Sequence, residues 1–367
     1  MIINKQDSKA IDMLRLPCAV LVVFIHVFSL YPGGGISRII ISQGVARVAV
    51  PVFFLTSGYL FFNGIEKWSW SLYGNKLTKR IKTLILPYLL WNTIFIIWFC
   101  LTLYASNGDF FTEIIEKRGG FLMYWNCNRF DYNPSINILG WQMWNGAFPI
   151  NYPLWFIRDL IVINFCSPIV FLLIRSRWYI FLLFLFYLLD IWIPLEGFRA
   201  EGFFFFSLGG YLIYNKKGIV STFSNRRMLI YALTAIFLIL CATFYKSEYY
   251  MYFRRLLCLT GTISLFQITA CFIRENTKVT TWLTKPLLIE SSFVIFAAHA
   301  ICFKPYVAAA FNRLLDYMFK EDVPRVLYDF VYFVTPIIIS LIIIYLYYLL
   351  KSVSPRICSI LTGGRNK

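Results

Sequence analysis

Apolar runs long enough to cross a bilayer as helices, about 20 residues at 1.5 Å rise each, recur along the 367-residue chain and are separated by short polar or basic breakers. The pattern predicts ten helices, at approximately 11–31, 45–64, 83–105, 151–174, 178–194, 202–215, 228–245, 253–273, 287–308 and 329–350. The run at 202–215 is the shortest and carries glycines. The expected fold is all-α, a polytopic membrane protein forming one transmembrane domain over 1–367 with no fused soluble domain. The first run is read as a retained span, not a cleaved signal, because it lacks a small-residue cleavage site and is followed by Pro-Gly-Gly-Gly.

Composition agrees with this reading. The chain is 59% hydrophobic and only 14% charged, where a soluble domain would carry about 25%; its mean hydropathy is +0.66. A formal charge of +17 in a soluble protein would suggest nucleic acid. Here most Lys and Arg residues occupy alternate loops, such as Lys67 to Lys82 and Lys216 to Arg227. That arrangement is a topology signal, and no zinc-finger, RNP or helix-turn-helix signature competes with it. The asymmetry predicts cytoplasmic N and C termini. It also predicts that the long loop at about 106–150 faces outside. This loop carries Trp141 and Trp144; with Trp155 they are candidate saccharide-stacking surfaces, although membrane-interface anchoring is the commoner role of such aromatics. The nine cysteines are scattered, most of them inside apolar runs, with no CxxC and no metal-ligand spacing.

Ionisable side chains inside the spans are the candidate chemistry, since each costs about 2.5–3.5 kcal/mol at mid-membrane on insertion scales. Both histidines of the chain, His26 and His299, fall in apolar runs. In "RLPCAVLVVFIHV", Arg15 and His26 lie eleven residues apart, which returns them to within about 20° of one helix face and separates them by roughly 16 Å. They cannot touch each other, but one elongated ligand could touch both. Asp12 lies near the same stripe and could orient the Arg15 guanidinium; snorkelling of Arg15 to the inner headgroups is the alternative. Arg47 and Arg158, on descending spans, share the outer half with the histidines. Four such groups at similar depth suggest one polar cavity.

At these residues the chain resembles the integral-membrane acyltransferase family 3, whose members acylate extracytoplasmic glycans. "RLPCAVLVVFIH" is similar to that family's Arg, ten residues, His signature. "RVAVPVFFLTSGYLF", with Arg47, Pro51, Ser57 and Gly58, resembles its Arg…Pro-x-Phe-Phe…Ser-Gly-Tyr segment. "KRIKTLILPYLLW", "PLWFIRDL", "FFFFSLGGYL" and "SSFVIFAAHA" follow in the family's order, the last with Phe296 where Tyr is usual. The similarity runs from about Asp12 to Ala300.

The resemblance implies transfer of an acyl group, commonly acetyl, from a coenzyme A thioester to a hydroxyl of an extracytoplasmic or lipid-linked glycan, in a bacterial inner membrane. His26 would be the general base, Arg15 a donor contact, and Lys79, Arg80 and Lys82 a phosphate-binding mouth on the cytoplasmic side. For that cluster, plain positive-inside topology is an equal reading. Arg47 or Arg158 would stabilise the oxyanion, and His299 would bind acceptor or relay a proton. Neither a metal nor nucleic acid is expected; membrane lipid is, and a homo-oligomer stays open. The competing reading is a transporter or exporter of a lipid-linked glycan or small metabolite, which intramembrane charges also suit.

Overall fold

The computed structural model describes residues 3–31, 35–116, 118, 120–127, 136–138, 141–143, 148–193, 195–320 and 323–364. Each expected apolar run is helical. The principal helices are α1 (Lys5–Val27), α2 (Ile36–Phe62), α3 (Trp70–Ala105), α4 (Trp155–Phe165), α5 (Ser167–Leu173), α6 (Arg177–Leu189), α7 (Ala200–Tyr214), α8 (Arg227–Thr243), α9 (Tyr250–Arg274), α10 (Pro286–Ala298), α11 (Lys304–Phe319) and α12 (Arg325–Val353). Five of them, α1, α2, α3, α9 and α12, are long and apolar enough to cross a membrane alone. Two bent pairs raise this to seven: Tyr152–Phe165 with α5, bent by 67°, and Pro286–Ile301 with Tyr306–Phe319, bent by 60°. The chain is a multi-pass membrane protein. One departure from all-helical structure is a two-stranded antiparallel hairpin in the 106–150 segment, β1 (Ile136–Ile138) with β2 (Trp141–Met143).

Boundaries differ from the expected runs because polar turns extend the apolar cores. α2 begins at Ile36, ahead of the apolar run, through a π-helical segment at Ile39–Gly44 and a 3₁₀ turn at Val45–Val48. α1 begins at Lys5, where Asn4 caps it by accepting the Asp7 amide at 2.6 Å. Asp7 is itself buried; its carboxylate accepts the Tyr59 hydroxyl at 2.7 Å and the Val220 amide at 2.9 Å, so its charge is satisfied rather than stranded.

The closest helix pair is α2 with α7. A Cβ at Gly58 would overlap the carbonyl of Phe206, and one at Gly209 the carbonyl of Leu55. Without a hydrophobic drive between helices in lipid, small residues that let backbones touch provide the association. The Ser-Gly-Tyr and Gly-Gly-Tyr segments are therefore the two halves of one contact. Elsewhere on α2, Arg38 is fully buried and ion-pairs with Asp329, while Ser42 meets Tyr332 and donates to the Phe24 carbonyl at 2.5 Å. These contacts fasten α2 and α12 against α1.

Candidate active site

His26 stands in the last turn of α1, and the ring of His299 stacks on it, with centroids 5.2 Å apart and planes at 26°. The Tyr152 ring packs edge-on against His26 at 4.7 Å. The Tyr152 hydroxyl accepts a hydrogen bond from Lys304 Nζ at 3.0 Å. His299 opens a π-helical segment, His299–Phe303, and is 0% exposed. Its Nδ1 lies 3.0 Å from the Ile295 carbonyl, which can only accept, so Nδ1 carries the proton. In the neutral ring this leaves the lone pair on Nε2, which has no hydrogen-bond partner among the described residues.

At the C-terminal end of α1, the outer end in the expected topology, a cavity of about 150 Å³ lies beside His26, lined by His26, Arg47, Trp155, Arg199, Glu201 and Arg254 together with Phe156 and Phe296. Arg47 is held by Gln43, whose Oε1 accepts from its Nη2 at 2.5 Å and from the Tyr250 hydroxyl at 3.3 Å. Arg199 lies 4.1 Å over the Trp155 ring and pairs with Asp159 at 3.4 Å. Arg254 lies 5.6 Å over the Tyr250 ring.

A second cavity of about 160 Å³, toward Arg15 and so the inner one in the expected topology, is lined by Arg15, Arg80, Thr56, Ser57, Ser292 and Phe53 among others, and again by Phe156 and Phe296. Arg15 is oriented by Asp12 at 3.1 Å, while Arg80 lies 5.5 Å over the Phe61 ring. The two cavities thus meet at shared residues. Phe53, Phe156 and Phe296 form a closed triangle of ring contacts, with centroid separations of 5.8, 6.4 and 5.7 Å. These rings form an aromatic collar between the arginine-lined cavity at the Arg15 end of α1 and the histidine-bearing cavity at its His26 end.

The geometry brings together part of the expected set. Arg15 and Arg80 share the inner cavity, and His26, Arg47 and Trp155 share the outer one, with His299 stacked behind His26. Arg158 lines neither. It pairs with its own neighbour Asp159 at 3.0 Å and donates to the Trp125 carbonyl at 2.8 Å, although adjacent helix positions normally diverge. The long guanidinium reaches back across that angle. Lys79 and Lys82 are exposed and line neither cavity. The backbone of Trp141 pairs with Ile138 in the hairpin; Trp144 lies outside the described residues. Among the described residues, no group of three His, Cys, Asp or Glu could hold a metal ion.

Sequence reasoning missed Arg199, Glu201 and Arg254, which stand at helix starts and read as ordinary loop charges. It also missed the collar, because phenylalanines in apolar runs carry no signal of their own. One signal was accessible only in three dimensions. Three π-helical segments abut candidate residues: Ile39–Gly44 just before Arg47, Ile81–Ile85 just after Arg80, and the segment opened by His299. Such segments gather at functional sites because the extra residue re-aims a side chain.

Residues 8–345 match a family profile described as an acyltransferase domain, Acyl_transf_3. The chain belongs to acyltransferase family 3. The acyltransferase is also 25% identical over 382 residues to the succinoglycan biosynthesis protein ExoH of Rhizobium meliloti (strain 1021), an alignment covering 98% of this chain and 92% of the relative. No solved structure matches the acyltransferase.

Proposed function

We propose that the chain is a membrane O-acyltransferase moving an acyl group, acetyl in the simplest case, from a cytoplasmic acyl-coenzyme A to a hydroxyl of an extracytoplasmic or lipid-linked polysaccharide. The observation that carries this reading is the pair of cavities meeting at Phe156 and Phe296, one holding Arg15 and Arg80, the other His26. Family membership and a relative named for succinoglycan biosynthesis support the acyl chemistry and the glycan acceptor.

In this reading Arg15 and Arg80 grip the donor's phosphates through their planar, permanently charged forks. The pantetheine arm runs along α1, which spans roughly 16 Å from Arg15 to His26, and delivers the thioester past the collar. His26 removes the acceptor proton as the hydroxyl oxygen attacks the thioester carbonyl carbon. Arg47 stabilises the developing oxyanion. The C–S bond then breaks, and the departing thiolate takes the proton from His26. His299 acts as a positioning residue: near-parallel rings direct their N–H bonds along their planes, so it braces His26 instead of relaying its proton. Trp155, beneath Arg199, offers a flat face to a sugar ring. The chain crosses a bacterial inner membrane ten times with both ends inside, consistent with the distribution of its basic residues.

The transporter reading draws on the two bent helix pairs, since discontinuous helices mark transporter sites. Comparing polysaccharide from cells with and without the chain separates the two readings. Loss of a saponifiable acyl ester at unchanged polysaccharide yield is the expected result. Full esterification with reduced surface polysaccharide would place the chain among exporters.

A further inference from the structure

The outer cavity carries more positive charge than the proposed chemistry uses. Three guanidiniums, Arg47, Arg199 and Arg254, line it against one carboxylate, Glu201. Asp159 adds a second acid beside Arg199, but it is shared with Arg158. Among the described residues, Arg47 and Arg254 have no carboxylate within ion-pairing distance, and Glu201 forms no ion pair. Arg47 is bonded to a neutral amide and Arg254 rests on a phenol ring. Glu201 is close enough to offset part of this charge, but one acid among three buried guanidiniums leaves an excess, and buried ionisable groups in excess are costly and are kept where they serve a ligand or pathway. One arginine suffices for a transient oxyanion; the surplus calls for a permanent one.

We infer that the outer chamber is an anion subsite, in which Arg254 and Arg199 receive a carboxylate or phosphate carried by the transferred acyl chain or by the acceptor. This rests on the acyltransferase reading for its place in the reaction, while anion binding can be measured without turnover. A carboxylate on the acyl chain would arrive through the collar with the donor. A carboxylate or diphosphate on the acceptor would enter from outside. The planar fork of arginine suits both. Glu201, the one carboxylate lining the cavity, competes with the anion for these guanidiniums and so sets how tightly it is held.

The test uses the full chain in detergent, as wild type, Arg254→Gln and Glu201→Gln. In the donor arm, coenzyme A release is compared for succinyl- and acetyl-coenzyme A. In the acceptor arm, inorganic diphosphate and methyl glucuronide are tested as inhibitors of acetyl-coenzyme A turnover and as thermal stabilisers, with methyl glucoside as the neutral control. A succinyl preference of about tenfold, the scale of one charge-assisted hydrogen bond, lost in Arg254→Gln, puts the anion on the acyl chain. Inhibition and stabilisation by diphosphate or glucuronide, weakened about tenfold in Arg254→Gln, put it on the acceptor. Glu201→Gln strengthens whichever effect is present, which a purely structural role for these residues would not do. Equal responses of all three proteins to charged and neutral probes overturn the inference. If wild type releases no coenzyme A yet is stabilised by an anionic probe through Arg254, the subsite stands and the acyltransfer reading fails.

Discussion

The imidazole of His26 is stacked against that of His299, 5.2 Å away and 26° from parallel, and only His26 lines the outer cavity. The two histidines therefore have unequal parts. His299 has its Nδ1 tied to Ile295 O and its surface wholly buried, and in the proposed mechanism it fixes the His26 ring that meets substrate.

His26→Gln is expected to lower coenzyme A release by about 10²–10⁴-fold, the usual contribution of a positioned general base. His299→Phe, which keeps a flat ring against His26, is expected to cost about tenfold or less and to spare donor affinity. Steady-state kinetics of the two variants decide the roles. A greater loss in His299→Phe than in His26→Gln would reverse them.

The arginines of the inner cavity predict a split between binding and turnover. Arg15→Ala and Arg80→Ala each remove a charged contact worth about 1.5–3 kcal/mol, so KM for acyl-coenzyme A should rise about 10- to 100-fold with kcat nearly kept. Lys79→Ala and Lys82→Ala, both exposed and outside the cavity lining, should change KM by less than about threefold, as exposed charges usually do. Equal effects at all four positions would mean a diffuse basic surface and no defined mouth.

How much of this was legible in the sequence depends on the length scale of each feature. Helices and the membrane class follow from apolar runs, and the Arg15 to His26 stripe follows from helical periodicity within one element. The meeting of His26 with His299 needed only matching depths on two rising spans. Arg254 and Arg199 were not recoverable, because a basic residue at a helix start looks like every other topology charge until the cavity closes around it. The place of Arg158 outside both cavities was hidden for a related reason: its partners are Asp159 and the Trp125 carbonyl, the latter a contact with a segment whose placement no periodicity gives. The π-helical segments beside Arg47, Arg80 and His299 rest on single extra residues that leave no composition signal.

The collar should meter passage between the cavities. Phe296→Trp narrows a point where three rings already touch, and is expected to cut turnover about tenfold or more while equilibrium coenzyme A affinity holds, since overpacking a filled contact forces neighbours off their rotamers. Phe53→Ala opens it and should raise acceptor-independent hydrolysis of the thioester. Fluorescent coenzyme A binding beside thiol release reads both. A collar with no part in the donor path would leave both quantities at wild-type values.

The glycines at the α2–α7 contact predict a folding defect, not a catalytic one. Gly58→Val or Gly209→Val sets a side chain onto a partner backbone carbonyl, which cannot yield by rotamer change. The cost exceeds the roughly 1–3 kcal/mol typical of overpacking, so little monodisperse protein should survive detergent extraction. Gly64→Ala, with open space around its Cβ position but a positive φ of 77°, should cost only about 1 kcal/mol and extract normally. Normal yields from the two valine variants would rule out the close helix contact.

In the proposed mechanism, donor binding and chemistry occupy separate chambers joined by one aromatic collar. The most direct test is equilibrium binding of coenzyme A, by titration calorimetry on the purified full chain, set against acyl-coenzyme A turnover for wild type, Arg15→Ala and His26→Gln. Separate chambers predict wild-type affinity with abolished turnover in His26→Gln, and weakened affinity with near-normal kcat in Arg15→Ala. Loss of affinity and turnover together in both variants would contradict the two-chamber arrangement.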